Sequence, residues 1–249
     1  MSGSVNDRAI DLPPAYELVT LREVGDAFAH GCALAEDAGA GVLVWVRRYD
    51  LAEFAVILEP EEPLAEARRA IYVGMNALAD ALTIHAPPER PISFNWPDAI
   101  LIDGVLVGGG RLGWPEGARE NEIPRWLVFS GMVRTCVMRA GEAGLRPLFG
   151  GLDELGFEVI DADAIIESFS RHLMSGFHDW NETGFASVSK PWLSRLSRRE
   201  DDYVQIADNG DLLISRRTDL EPSERRSLKA ALATPSWLDP GSGTPWLSS

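Results

Sequence analysis

The run Gly108-Gly109-Gly110-Arg111-Leu112-Gly113 contains residue types that can bind phosphate, because it satisfies the G-x-G-x-x-G pattern of dinucleotide-binding loops. In that motif the glycines lead directly into a helix, and the N-terminus of the helix holds the phosphate. Here Trp114-Pro115 follows the run, and no helical pattern comes next. We therefore predict that these glycines let the backbone approach another strand or a ligand closely, and that no dinucleotide binds there.

Metal chemistry and covalent catalysis have weaker support in the sequence. No pair of histidines has the i, i+4 spacing of a helical metal site, and we predict no bound metal. The four histidines are His30, His85, His172 and His178. Ser130 lacks the first glycine of a nucleophile elbow. Cys136 follows an apolar strand and is a candidate acyl-accepting thiol; the alternative is a small hydrophobic side chain buried in the core.

The charge balance excludes several classes of partner. The chain has 249 residues, with 38 Asp and Glu against 23 Lys and Arg, and a formal net charge of -15. Because a phosphate backbone is bound by clustered cations, we expect neither nucleic acid nor an anionic membrane as a partner. No apolar run reaches the roughly 18 residues of a membrane span, and the N-terminal segment does not resemble a signal peptide. With only 2 cysteines as well, we expect a cytoplasmic protein.

The hydrophobic pattern predicts the elements that position these residues. Apolar runs at 42–46 and 54–58 predict an antiparallel hairpin of buried strands. Apolar residues at helical spacing follow Pro63 as far as Leu82, which predicts one long helix. Asp103-Gly104 lies between further apolar runs and predicts a second hairpin, because both central residues of a type I′ turn need positive φ.

Helices and strands in this order predict an α/β fold of the α+β kind, with a mixed, largely antiparallel sheet packed by helices. A helix over 24–37, a strand over 126–133 and a helix beginning near 161–163 complete it. Charged residues follow Ser197, so we expect one domain over 1–197 and a small β-rich domain over 198–249.

The small domain is predicted to contain a hairpin at Asn209-Gly210, a short helix near Pro222 and a mobile tail. Two tryptophans of this part, Trp237 and Trp246, are candidates for packing back onto the larger domain.

Residues 94–109, FNWPDAILIDGVLVGG, resemble the signature of the biotin/lipoate protein ligases. In that signature Lys-Trp-Pro-Asn-Asp-Ile precedes an Asp-Gly hairpin and then Lys-Val-Gly-Gly, and the two align without a gap. The likeness extends upstream to the strands at 42–60 and downstream to residues 172–196. It implies the ligase fold, activation of biotin or lipoate by ATP to an acyl-adenylate, and transfer of the acyl group to a biotinyl or lipoyl carrier domain.

Two parts of the machinery that the resemblance implies are missing. The match places the catalytic lysine of the family at Leu106, so no cation faces the developing negative charge there. The Gly- and Arg-rich loop that encloses the adenylate in biotin ligases is replaced by the short turn 47–50. Asp98-Ala99 stands where the family has Asn-Asp, and a shift of one residue along a strand points a side chain to the opposite face.

The resemblance implies a ligand pocket that retains part of its wall. No catalytic residue is identified, and the predicted ligand-binding residues are Arg47, Arg48, Trp96, Asp98, Gly108, Gly109, Gly110 and Arg111. The three arginines are the nearby cations; the alternative for them is solvated charges paired with Asp50 or Glu53. The tryptophan and the glycines alternatively serve strand packing alone.

The sequence is compatible with three functions. The first is a ligase-like protein that binds a small carboxylate, acyl group or acyl-adenylate, with absent or altered ligase or acyltransferase activity. The second is a non-catalytic scaffold that docks a carrier domain or a partner subunit. The third is an acyltransferase that uses Cys136. A cofactor is not determined; ATP or an acyl-adenylate, with biotin or lipoate as ligand, are what the resemblance implies.

Overall fold

A seven-stranded sheet forms the centre of the protein in a computed structural model, which describes residues 10–23, 25–137, 150–158, 162–199, 201–216 and 224–245. The strands of this sheet are β1 Glu17–Leu21, β2 Val42–Arg47, β3 Leu51–Leu58, β4 Ile92–Asn95, β5 Ala99–Ile102, β6 Val105–Gly113 and β7 Leu127–Arg134. Their spatial order is β1-β2-β3-β7-β6-β5-β4. Neighbours pair antiparallel except β1 with β2, which confirms the predicted mixed, largely antiparallel sheet.

Helices pack on this sheet, and a second, three-stranded sheet follows it in the chain. The helices are α1 Ala27–Leu34, α2 Leu64–Ala67, α3 Ala70–Thr83, α4 Ala162–Thr183, α5 Ala186–Arg195 and α6 Leu228–Leu232, with a 3-10 turn at Asp153–Leu155. The small sheet contains β8 Asp202–Ile206, β9 Leu212–Arg216 and β10 Glu224–Arg226 in the order β10-β9-β8. No helix in the described ranges is long and apolar enough to cross a membrane.

The local turn signals position both predicted hairpins of the large sheet. Strands β2 and β3 pair antiparallel around the short turn that follows Arg47. Between β5 and β6, Asp103 has φ 51 and Gly104 has φ 78, as a type I′ turn requires. The Asn209-Gly210 turn also joins β8 to β9 in an antiparallel pair, but of its two residues Gly210 alone has a positive φ, of 85°, so the turn is not type I′.

The long helix predicted after Pro63 is divided into α2 and α3. At the junction, Ile71 N–H bonds to the carbonyl of Arg68 and Tyr72 N–H to that of Arg69, so the bonds span three residues and tighten the turn. Both arginines at this junction are buried and paired: Arg68 with Glu120, and Arg69 with Glu62. The partners Glu120 and Glu62 lie outside the helix, so the spacing of its apolar residues does not reveal these ion pairs.

The two faces of the large sheet are covered differently. Helices α3, α4 and α5 cover the first face, where Phe54 and Phe129 pack against Phe169 of α4. Helix α3 lies so close to this face that a Cβ on Gly74 would be 2.1 Å from the Phe129 ring. Helix α1 covers one end of the second face, and residues 234–245, called the C-terminal segment below, cover the other through Trp237.

Several elements differ from their predicted bounds or were not predicted. The predicted helix 24–37 is the shorter α1, whose N-cap is Asp26, and Val24 lies outside the described residues. Strand β1 and helix α5 were not predicted. The short helix of the C-terminal part begins at Leu228 behind an N-cap at Ser227, while Pro222 and Trp246 lie outside the described residues.

Candidate functional site

The strand register places part of the predicted site on the second face of the sheet. Residue pairing aligns Glu53, Met132 and Gly109 in one row across β3, β7 and β6. The next row contains Arg111, opposite Ser130. Leu106, the position that the family resemblance assigns to the catalytic lysine, lies on the same face of β6. Leu106, Gly109 and Arg111 therefore line one continuous surface.

Leu106 lies within a closed apolar cluster. Its side chain is 0% exposed and packs with Leu51, Ala99, Met132 and Trp237. A charged group at this point would be removed from water without a partner, which is costly. The position of the family's lysine is thus both apolar and inaccessible here.

Trp237 of the C-terminal segment covers Gly109. The indole is 1% exposed, and its Nε1–H donates to the Gly110 carbonyl at 3.1 Å. A Cβ on Gly109 would lie 2.4 Å from Trp237 Nε1 and 2.1 Å from the Asp98 carbonyl oxygen. The glycine is therefore required by close approach, and the side chain that approaches is the protein's own tryptophan.

Asp98 anchors the same segment. Its side chain is buried, 1% exposed, and accepts hydrogen bonds from the Ser236 hydroxyl at 2.7 Å and the Ser236 N–H at 3.3 Å. Burial raises the pKa of Asp98 to about 6, although the two bonds from Ser236 act in the opposite direction. The carboxylate of Asp98, within the family motif, thus binds the C-terminal segment.

Arg111 lies between helix α1 and the C-terminal segment. The central carbon of its guanidinium is 3.8 Å from the ring centre of Phe28. Burial lowers the pKa of Arg111, while the charges of Asp26 and Glu53 act to raise it. Within the described part of the chain its guanidinium makes no hydrogen bond, so its N–H donors are available to an anion.

Glu53 is a buried acid that sequence reasoning treated only as an ion-pair partner. It is 3% exposed and accepts from the Ala27 N–H at 3.0 Å, at the start of α1. Burial raises the pKa of Glu53, whereas the Ala27 N–H and Arg48 lower it. Its position within the apolar run of β3 was the signal that it points into the protein.

The turn arginines differ from Arg111. Arg48 makes two bonds of 3.1 Å to Asp50 and lies 3.6 Å from Glu53, so it has the paired-charge role considered as the alternative. Arg47 is exposed at the end of β2, with its guanidinium carbon 5.7 Å from the Trp45 ring centre. Of the three predicted arginines, Arg111 is the one on the surface with Gly109.

The remaining predicted residues lie away from that surface. Trp96 directs its Nε1–H to the Tyr72 hydroxyl at 2.9 Å, on the side of helix α3. A Cβ on Gly110 would be 2.8 Å from the Met75 sulfur on the first face, and one on Gly108 would be 2.0 Å from the Met132 carbonyl oxygen. These two glycines serve the packing of β6 between its neighbours.

Cys136 does not have the environment of an activated thiol. Burial and the nearby carboxylates of Asp153 and Asp50 raise its pKa, which decreases the thiolate fraction. Its sulfur lies 3.9 Å from the Tyr49 carbonyl oxygen. Among the described residues, no group of three or more His, Cys, Asp or Glu side chains is arranged to hold a metal.

Two large cavities open elsewhere on the molecule. One, of about 540 Å³, lies between one end of strands β3 and β7 and helix α4, lined by Leu173, Phe177 and Trp180 among others. Another, of about 450 Å³, lies beside Trp96. Neither is lined by Leu106, Gly109 or Arg111.

Comparison with known proteins agrees with the family resemblance of residues 94–109. The sequence profile of the Biotin/lipoate A/B protein ligase family matches residues 12–194. A biotin protein ligase-like protein of unknown function from Silicibacter sp. superimposes with a TM-score of 0.77 at 23% identity, covering 91% of this chain and 100% of the other. No curated protein matches the sequence.

Two biotin protein ligases with bound ligands have the same fold at lower identity. The enzyme from Aquifex aeolicus in complex with biotin and ATP has a TM-score of 0.60 at 16% identity, over 84% of this chain and 99% of that one. The enzyme from Leishmania major in complex with biotinyl-5-AMP has a TM-score of 0.52 at 12% identity, over 85% and 99%. At these identities the likeness establishes the fold.

Proposed function

Because the chain belongs to the biotin/lipoate A/B protein ligase family, we propose that it binds a small carboxylate or acyl ligand on the second face of its sheet and has lost ATP-dependent ligation. The single observation that carries this proposal is the contrast between two positions of β6. Leu106 is apolar and buried, whereas Arg111 keeps a guanidinium without a hydrogen-bond acceptor in the described structure.

The loss of ligation follows from the residues that would have to hold ATP. Adenylation places negative charge on phosphate and carbonyl oxygens, which requires preorganised cations and N–H donors. Here Leu106 contributes no charge, Trp237 lies over Gly109, and Asp98 is occupied by Ser236. The residues present do not fit ATP or an acyl-adenylate at this surface.

Binding of a carboxylate is supported by Arg111. Its fork of N–H donors matches a carboxylate, and the Phe28 ring under it restricts its orientation. The acidic side chains of Asp26 and Glu53 compete for the same cation, which favours weak binding. An acyl chain extending from the carboxylate along β6 would reach Trp237, so ligand and C-terminal segment would compete for the surface beside Gly109.

Calorimetric titration of the full-length protein with biotin, lipoate and octanoate tests the binding claim. We expect at least one acid to bind with a Kd of millimolar or lower, and Arg111→Gln to weaken that binding about tenfold or more. Arg119→Gln is the matched control, because Arg119 is an exposed arginine paired with Glu122. Absence of binding by all three acids at millimolar concentration would contradict the proposal.

The loss of ligation has its own assay. The protein is incubated with ATP, biotin or lipoate, and an unmodified biotinyl or lipoyl carrier domain, and the carrier is weighed by mass spectrometry. We expect no acylated carrier above the level without protein. Acylation that depends on this chain would show that the catalytic charge is supplied by another route.

A non-catalytic scaffold is the second candidate, and the burial of Leu106 beneath Trp237 favours it. A closed surface is compatible with a structural role that needs no bound ligand. Sedimentation velocity with a purified carrier domain tests this function: a stable complex supports a scaffold, and two independent species count against it. An acyltransferase that uses Cys136 is disfavoured, because burial and the nearby carboxylates raise the pKa of that thiol and so decrease its thiolate fraction.

A further inference from the structure

A second site lies in the cleft between the edge strand β4 and the small sheet. The cleft has a volume of about 450 Å³ and opens beside Trp96. Its walls come from both sides of the expected domain boundary and consist of Asn95, Trp96, Leu196, Ser197, Arg198, Arg199, Asp202, Val204, Leu212, Ile214 and Arg226. A volume of several hundred Å³ is that of a small-molecule site.

The charge of the cleft is opposite to that of the whole chain. Three arginines and one aspartate line it, while the chain has a net charge of -15. In the part of the chain that the structure describes, Arg198 and Arg199 make no side-chain hydrogen bond or ion pair. The third, Arg226, pairs with Glu224 at 2.6 Å. Two guanidiniums are therefore available to an anion in an otherwise acidic protein.

The cleft also has an apolar floor, which distinguishes it from an ordinary charged surface. Val204 and Leu212 are buried, and Leu196 and Ile214 are half-buried beside them. The indole of Trp96 forms another wall, and its orientation is restricted by the hydrogen bond to Tyr72. A ligand that fills the cleft must therefore have an apolar or aromatic part as well as its negative charge.

The two walls are held together by specific bonds. Ser197 N–H donates to the Phe94 carbonyl at 2.8 Å, which fixes the linker against β4. The Tyr72 hydroxyl donates to the Gly210 carbonyl at 2.6 Å, which ties the small sheet to helix α3. The backbone walls of the cleft are thus held in place before a ligand binds, and the ordering cost is confined to side chains such as Arg198 and Arg199.

We propose that this cleft binds a small organic phosphate, a phosphate monoester whose organic part is aromatic or otherwise apolar. Guanidiniums bind phosphate oxygens in pairs, and the floor and Trp96 accept the organic part. A nucleic-acid backbone is disfavoured, because the acidic surface outside the cleft repels a polyanion. The site is separate from Arg111 and does not depend on the function proposed above.

Phenyl phosphate is the probe, titrated calorimetrically into the full-length protein at low salt beside inorganic phosphate and phenol. We expect phenyl phosphate to bind at least tenfold more tightly than inorganic phosphate, and phenol not to bind. The double variant Arg198→Gln/Arg199→Gln should weaken phenyl phosphate binding at least tenfold. Arg119→Gln/Arg125→Gln, which removes two exposed arginines elsewhere, should leave it unchanged.

A variant that fills the cleft without altering charge provides a further check. Ile214→Trp should weaken phenyl phosphate binding, whereas Ile123→Trp, at an exposed isoleucine outside the cleft, should not affect it. The inference is overturned if phenyl phosphate fails to bind at millimolar concentration, if inorganic phosphate binds equally well, or if both double variants lose the same affinity. The carboxylate site has its own probes, biotin, lipoate and octanoate, and its own variant, Arg111→Gln, so failure of one proposal is distinguishable from failure of the other.

Discussion

Asp98 shows how one residue of a family motif can acquire a new partner. The ligase signature has Asn at this position, and a neutral amide needs no countercharge when buried. Here a carboxyl group takes the place and receives two bonds from Ser236. Burial raises its pKa to about 6, from an ordinary value of 3.8, so the folded protein holds the proton more tightly than the unfolded chain.

The raised pKa predicts a pH-dependent effect of Asp98→Asn. The contribution of the protonated carboxyl group to the free energy of unfolding is complete below about pH 4 and is lost as the pH rises through about 6. At pH 8 the ionised group costs up to about 3 kcal/mol, so the variant should be more stable than the native protein by about 1–3 kcal/mol, with a smaller difference at pH 4.

Urea denaturation at pH 4, 6 and 8 measures this difference in the free energy of unfolding. Asp201→Asn is a suitable control, because Asp201 is exposed and has no side-chain partner in the described ranges. A difference between the Asp98 variant and the native protein that stays constant from pH 4 to pH 8 would mean that this carboxyl group does not titrate there.

At the scale of elements, turn residues in the sequence correctly predicted the hairpins, because a hairpin depends on local chain geometry. The hairpin at Asp103-Gly104 needs two adjacent residues with positive φ, and Asp-Gly provides them. Strand β1 was missed because its partner β2 follows only after helix α1, and parallel pairing over such a distance has no turn signal. The helix after Pro63 is divided at Arg68 and Arg69, which pair with Glu120 and Glu62 outside the helix, so its apolar spacing did not indicate the break.

The candidate site was predicted to a lesser extent than the fold, for the same physical reason. The motif correctly placed Gly109 at a close approach, but Trp237 lies 128 positions away in the chain, and nothing in either local sequence specifies their contact. Trp237 was named as a residue that packs back onto the larger domain, and its 1% exposure confirms that expectation. Which surface it would cover could not be read from composition or spacing.

The C-terminal segment is expected to depend on Trp237 for its attachment. Trp237→Ala removes the indole that fills the surface beside Gly109 and loses its bond to the Gly110 carbonyl. Truncation of a buried tryptophan costs about 3–5 kcal/mol, so the free energy of unfolding should fall by that order. Leu238→Ala, at a partly buried neighbour, should cost clearly less.

Denaturation and limited proteolysis together locate the effect. In Trp237→Ala the chain should become sensitive to cleavage within residues 234–245 while the large sheet stays protected. If octanoate binds at Arg111, its affinity should increase in this variant, since the competing indole is gone. Cleavage that begins in the large sheet would show that the tryptophan supports the whole fold rather than the attachment of its own segment.

At the scale of the whole molecule, the proposed loss of ligation rests on parts that are far apart in sequence. By the resemblance to the family signature, Leu106 stands where a lysine is expected and the short turn after Arg47 where a loop is expected. Trp237 packs with Leu106 and with Leu51, which follows that turn. Restoring one part therefore should not restore activity. Leu106→Lys is expected to leave the carrier unmodified by ATP and biotin, because the ammonium would enter an apolar cluster closed by Trp237.

Leu106→Lys should also lower the stability of the protein by an amount that depends on pH. A lysine at a position that is 0% exposed has its pKa lowered by desolvation, so it should reduce the free energy of unfolding by about 3 kcal/mol or more at pH 7. The loss should shrink toward pH 10, where the unfolded chain also begins to release the proton. Leu106→Met, which keeps an apolar side chain of similar volume, should cost less than about 1.5 kcal/mol at either pH. A Leu106→Lys protein as stable as Leu106→Met at pH 7 would mean that water reaches this position, and the closed second face on which the loss of ligation depends would then be wrong.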